Sequence, residues 1–107
     1  MPMTSQSFAT LADPIRLRIV ENLLRGEQAV NDLVEKLEIQ QSGVSRHLRI
    51  LHEAGFVQVR PDGQKRLYSL KADKFREMET WLARYRALWE GRMDRLAEAA
   101  EKKAKKP

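Results

Sequence analysis

Apolar residues recur along this chain first at a helical period, then briefly at a strand period, then at a helical one again. Phe8, Leu11 and Ala12 make one face of a short first helix. Asp13-Pro14 interrupts it. Asp13 suits the N-cap of a second helix, and Pro14 its first position, where no N–H donor is needed. Ile15, Ile19 and Leu23, with Leu17, Val20 and Leu24 beside them, give that helix a broad apolar face. Arg16, Arg18, Glu21 and Arg25 fall largely outside it, and Gly26 suits its end. Val30, Leu33, Val34 and Leu37 predict a third helix from about Ala29 to Leu37. A turn over residues 38–41, anchored by Ile39, leads into a fourth helix that buries Val44, Leu48 and Leu51 and ends at Ala54-Gly55.

The period then changes. Phe56, Val57 and Val59 begin a strand, Pro61-Asp62-Gly63-Gln64 is a strong turn signal, and residues 65–70 read as the returning strand. A hairpin this small must lean on the helices. A last helix of about 25 residues starts near Ala72-Asp73. Phe75, Met78, Leu82, Tyr85, Trp89, Met93 and Leu96 recur along it at intervals of three or four, and Trp81 and Leu88 widen the stripe. One small core cannot cover so large a face, so the stripe is expected to meet an identical helix in a second subunit. The alternative is a helix folded back wholly onto its own domain. The expected fold is therefore mainly α with a small β-hairpin: four helices, two strands and a final helix, a homodimeric winged helix-turn-helix over residues 6–96. Residues 97–107 are expected to be a frayed basic tail.

Composition narrows the function. A chain of 107 residues is one domain's worth, and its charge of +5 with a pI near 9.8 fits a polyanionic partner. The excess collects on the hairpin, where Arg60, Lys65, Arg66 and Lys71 face Asp62 alone, and on the tail with Lys102, Lys103, Lys105 and Lys106. Without cysteine there are no disulfides and no thiolate metal sites. No apolar run approaches a membrane span, and MPMTSQ lacks the pattern of a signal peptide, so the cytoplasm is the expected location. No nucleophile–base–orienter set suggests an enzyme, and no cofactor is expected.

The fourth helix carries the chemistry of a groove reader. Gln40, Gln41, Ser42, Ser45 and Arg46 lie at its entering end. Glutamine pairs bidentately with adenine and arginine with guanine; serine reaches a base edge or a phosphate. Arg49, one turn on, is better placed for a phosphate. Arg60, Lys65 and Arg66 on the hairpin are placed for phosphates or the minor groove. Arg16 and Arg18 could add phosphate contacts or pair with acids. Three points stay open: whether Gln40 or Ser42 caps the helix, whether Gly43 permits approach to DNA or a crossing inside the protein, and whether His47 faces a phosphate or packs at the helix boundary. His52 reads as a helix-end or solvated residue.

The order of FATLADPIRLRIVENLL at 8–24, AVNDLVEKLEIQQSGVSRHLRILHEAGFV at 29–57 and RPDGQKRLYSL at 60–70 resembles the ArsR/SmtB family of bacterial winged-helix repressors. The resemblance covers about residues 6–90. It implies a homodimer built by the first and last helices, with Phe8 and Leu11 of the first at the interface, sitting on a twofold-symmetric operator in double-stranded DNA. Many members release DNA on binding a metal, through a cysteine pair on the third helix or carboxylates and histidines on the last. Here the third-helix positions read Ala29, Val30, Asn31 and Asp32, the last helix has no histidine, and its acids Asp73, Glu77, Glu79, Glu90 and Asp94 alternate with arginines. The chain thus resembles the metal-independent branch, with no metal site expected. The inducer is left open between a small molecule, a partner protein and protein concentration alone. The competing readings are a metal- or ligand-responsive repressor with an uncommon non-cysteine site, and a winged helix that binds protein.

Overall fold

The computed structural model describes residues 3–105. Met1, Pro2 and the tail residues Lys106 and Pro107 lie outside them. Eight elements follow in order: α1 (Ser5–Leu11), α2 (Pro14–Leu23), β1 (Gln28–Ala29), α3 (Val30–Leu37), α4 (Gln41–Glu53), β2 (Val57–Asp62), β3 (Lys65–Leu70) and α5 (Ala72–Lys105).

Local chemistry accounts for most of the boundaries. Thr4 caps α1, its hydroxyl accepting from the Ser7 N–H at 3.3 Å. Asp13 caps α2 by accepting from the N–H groups of Ile15 (2.8 Å) and Arg16 (3.1 Å), with Pro14 opening the helix as expected. α2 ends at a Leu24 cap; Gly26 lies two residues later with φ +130°. Glu38 closes α3 in the left-handed region at φ 56°, an uncommon place for a residue with a Cβ. Gly55, at φ 86°, turns the chain out of α4.

One element was not expected. Gln28–Ala29 pairs antiparallel with β3, Gln28 opposite Tyr68 and Ala29 opposite Leu67. The two-stranded hairpin is thus a three-stranded sheet of order β1-β3-β2. The turn is also tighter than expected: Pro61 and Asp62 remain in β2, opposite Arg66 and Lys65, leaving Gly63-Gln64 as the loop. Gly63 supplies the positive φ of 64° that such a short loop needs.

Ile19, Val20 and Leu23 of α2, Leu33 and Leu37 of α3, Val44, Leu48 and Leu51 of α4, Phe56 and Val57 form the buried core. Leu11, Ile39, Tyr68, Leu70, Phe75 and Met78 pack around it. Phe56 precedes the strand; its ring meets Phe75 edge-on at 5.6 Å and seats the start of α5.

α5 is longer than the expected 25 residues. It runs for 34, a rod of about 51 Å. The apolar stripe fades after Leu96, but alanine, glutamate and lysine are strong helix formers, and the chain stays helical through Lys105 rather than leaving the helix near residue 97. The rod carries the longest dimension to 71 Å and the radius of gyration to 19.8 Å, against about 13 Å for a compact chain of this size. Among the described residues, no helix is long and apolar enough to cross a membrane.

Candidate nucleic-acid interface

α4 buries one side and offers the other. Val44, His47, Leu48 and Leu51 point into the protein, while Gln41, Ser42, Ser45, Arg46 and Arg49 are exposed. The helix begins at Gln41, with Gln40 at the cap position making no side-chain cap bond. Ser42 therefore sits in the first turn and does not cap, which settles the register of the exposed set. A Cβ at Gly43 would stand 3.2 Å from Ile39 Cγ2, a close approach to the turn between α3 and α4.

Two grooves join this helix to the wing. The first, about 290 Å³, is lined by Ala29, Asn31, Asp32, Gln41, Gln64, Lys65 and Arg66. The second, about 410 Å³, is lined by Ser45, Arg49 and His52 of α4 and by Val59, Arg66 and Tyr68 of the sheet. Arg66 borders both. A shallower concavity gathers Gln40, Ser42, Gly43 and Arg46 at the helix start. Asn31, His52, Gln64 and Tyr68 were absent from the expected set. Two spacings carried their signal: His52 follows Ser45 and Arg49 on one helix face, and Tyr68 follows Arg66 by two in a strand.

The basic residues divide into free and engaged. Among the described residues, Arg46, Arg49, Lys65 and Arg66 have no ion-pair partner. Arg60, expected with them, is held by Glu27: its Nε donates to Oε2 at 2.7 Å and its Nη2 to Oε1 at 2.6 Å. That fork lowers the Glu27 carboxyl below its ordinary range and raises the Arg60 guanidinium further. The two arginines of α2 are also engaged. Arg16 Nε donates to the Thr10 carbonyl at 2.6 Å, and Arg18 Nη2 reaches the Leu37 carbonyl at 3.4 Å.

His47 is 5% exposed and its Nδ1 lies 3.3 Å from Arg16 Nη1. It packs inside the protein, closing the reading in which it faces a phosphate. Burial pushes the imidazole below its ordinary pKa; Asp13 works against that shift, and Arg16 and Arg46 add to it.

A bacterial regulatory-protein model, the arsR family, matches residues 13–59, from the α2 cap into β2. An HTH-type transcriptional regulator of Mycobacterium tuberculosis is 36% identical over 80 residues, covering 75% of each protein. A crystal structure described as a "Possible transcriptional regulator for arsenical resistance" is 34% identical, covers 90% of this chain and 97% of its own, and superposes with a TM-score of 0.67. The chain belongs to the ArsR family.

As an ArsR-family protein it is a sequence-specific DNA-binding transcriptional regulator, and regulators of this type are transcription factors rather than enzymes. The matched segment holds the α2–α3–α4 body and the start of the wing. A protein of Streptomyces lividans named "Probable mercury resistance operon repressor" is 43% identical over 67 residues, 63% of this chain but only 54% of that one. The chain spans about half the length of that relative. This ArsR chain lacks cysteine, and among its described residues no three His, Asp or Glu side chains are grouped to hold a metal ion.

Proposed function

We propose that this ArsR-family regulator is a homodimeric repressor that reads an inverted-repeat operator with α4 and grips the flanking backbone with its wing. The observation that carries the reading is that the unpaired cations Arg49, Lys65 and Arg66 line the grooves between α4 and the wing together with Gln41 and Ser45, while Arg46 stands exposed with Ser42 beside them at the start of α4. Amide and serine side chains discriminate base edges; the surrounding cations supply the salt-dependent hold on phosphates. Arg60 contributes less, since Glu27 occupies its fork. Repression is carried over from the Streptomyces relative named as an operon repressor. Mercury is not, because a soft metal calls for thiolates that this chain lacks.

Dimerisation is supported by the outer face of α5. Leu82, Tyr85, Trp89 and Met93 remain about half exposed or more along α5. Phe8 joins them through an edge contact with Trp81 at 4.9 Å. Leu11, Phe75 and Met78, also expected at the interface, pack instead against the protomer's own core. They support the interface from beneath.

Selection of bound fragments from random duplex DNA tests the proposal. The expected product is an inverted repeat with half-site centres about 34 Å apart. Recovery of no motif, or of an asymmetric one, would count against it. In the same assay Arg46→Ala is expected to lose roughly tenfold or more in specific affinity while non-specific binding changes little.

A further inference from the structure

Arg16 ties α4 to the α1–α2 elbow. Its Nε donates to the Thr10 carbonyl at the end of α1. Its N–H is held by the Asp13 cap of α2, and its Nη1 lies 3.3 Å from His47 Nδ1 in α4. Thr10 is itself buried and anchored, its hydroxyl donating to the Gln6 carbonyl at 2.9 Å. His47 directly follows Arg46 in the helix that faces the grooves.

The chemistry of this contact fixes a protonation state. A guanidinium has five donors and no acceptor, so Nδ1 must offer a lone pair and the proton of the neutral ring must sit on Nε2. A second proton at Nδ1 would remove the acceptor and set two cations face to face.

We propose that Arg16 is a positioning residue for DNA reading: by donating to His47 it holds α4 at a set angle to the α1–α2 elbow, and protonation of His47 releases that hold. This rests on the DNA-reading role of α4. The charges acting on the imidazole are Asp13 and Arg16 from α2 and Arg46 from α4 itself; α1 brings the uncharged Thr10 carbonyl. Burial already disfavours the imidazolium. The contact is therefore complete at neutral pH and is lost on acidification below the ordinary imidazole value.

Two readouts test this, the first in a His52→Gln background that leaves a single histidine and the second in the protein with His52 intact. Imidazole nitrogen-15 shifts of the free protein are expected to show the Nε2–H tautomer at pH 7.5. The Nδ1–H tautomer would overturn the contact whatever the protein does with DNA. Binding to selected and to unrelated duplexes is then compared at pH 7.5 and 5.5 at constant salt. Specific affinity is expected to fall about tenfold relative to non-specific affinity. His47→Asn, which keeps an acceptor near the Nδ1 position and cannot ionise, should bind specifically at both values. Arg16→Gln should lower specific binding at pH 7.5, with folding checked by circular dichroism. Equal pH dependence in wild type and His47→Asn would sink the proposal. The expected tautomer without any selected DNA would instead sink the DNA reading of α4, and the positioning role with it.

Discussion

Asp13 caps α2 through one carboxylate oxygen shared between two amides. The bond to the Arg16 N–H is the main reason its carboxyl lies below the ordinary aspartate range; burial opposes the shift. A folded-state pKa below the unfolded value makes this contribution fully present above about pH 4 and lost as pH falls through the folded value. Asp13→Ala is expected to cost about 1–2 kcal/mol in urea unfolding at neutral pH, and Asp13→Asn markedly less. Equal losses would show that the cap bond is not what matters. The basic residues of the wing differ in a way set by their neighbours. Lys65→Ala should weaken binding to all duplexes and reduce the salt slope by about one, whereas Arg60→Ala should change the slope less. Equal changes would mean that Glu27 releases Arg60 on DNA. The cap was readable because Asp13-Pro14 is a local signal. The fate of Arg60 was not, because Glu27 stands 33 residues away in the chain.

The helices are legible because each carries its own apolar period and its own stop. Gly55 is one such stop. A Cβ there would find nothing nearer than Lys74 Cε at 3.9 Å, so the cost of a side chain is conformational rather than steric. Gly55→Ala is therefore expected to cost about 1–2 kcal/mol in denaturant unfolding with α4 otherwise intact. A neutral substitution would show that the turn can adopt another conformation. β1 was not legible: two residues have no period, and Gln28–Ala29 is a strand only because β3 lies beside it. Nor was the full length of α5. Its apolar stripe ends before the helix does, and hydrophobic period locates a buried face rather than a helix terminus.

The whole molecule is a small winged body with a long rod leaving it. The rod's exposed stripe makes a prediction at this scale. Trp89, at 60% exposure, lies beyond the protomer's core, so Trp89→Asp should spare the body's fold while burying a charge in the proposed interface. Sedimentation is expected to show a shift from dimer toward monomer, with circular dichroism unchanged. An unchanged dimer would move the interface elsewhere. Operator binding should fall with dimerisation, since two half-sites then bind independently.

Sequence alone settled what depends on neighbours within a few turns: the Asp13 cap, the buried positions of α3 and α4, the hairpin, and the Gln, Ser and Arg side chains on the exposed side of α4. It also carried the ArsR resemblance, because that rests on the order of such local signals. Tertiary structure decided which polar groups are free. Arg16, Arg18, His47 and Arg60 look as available as Arg46 or Lys65 when read along the chain, yet folding gives the first four internal partners and leaves the others open to solvent. A side chain's type depends only on its own residue. Its partner depends on distances between segments that no local pattern encodes.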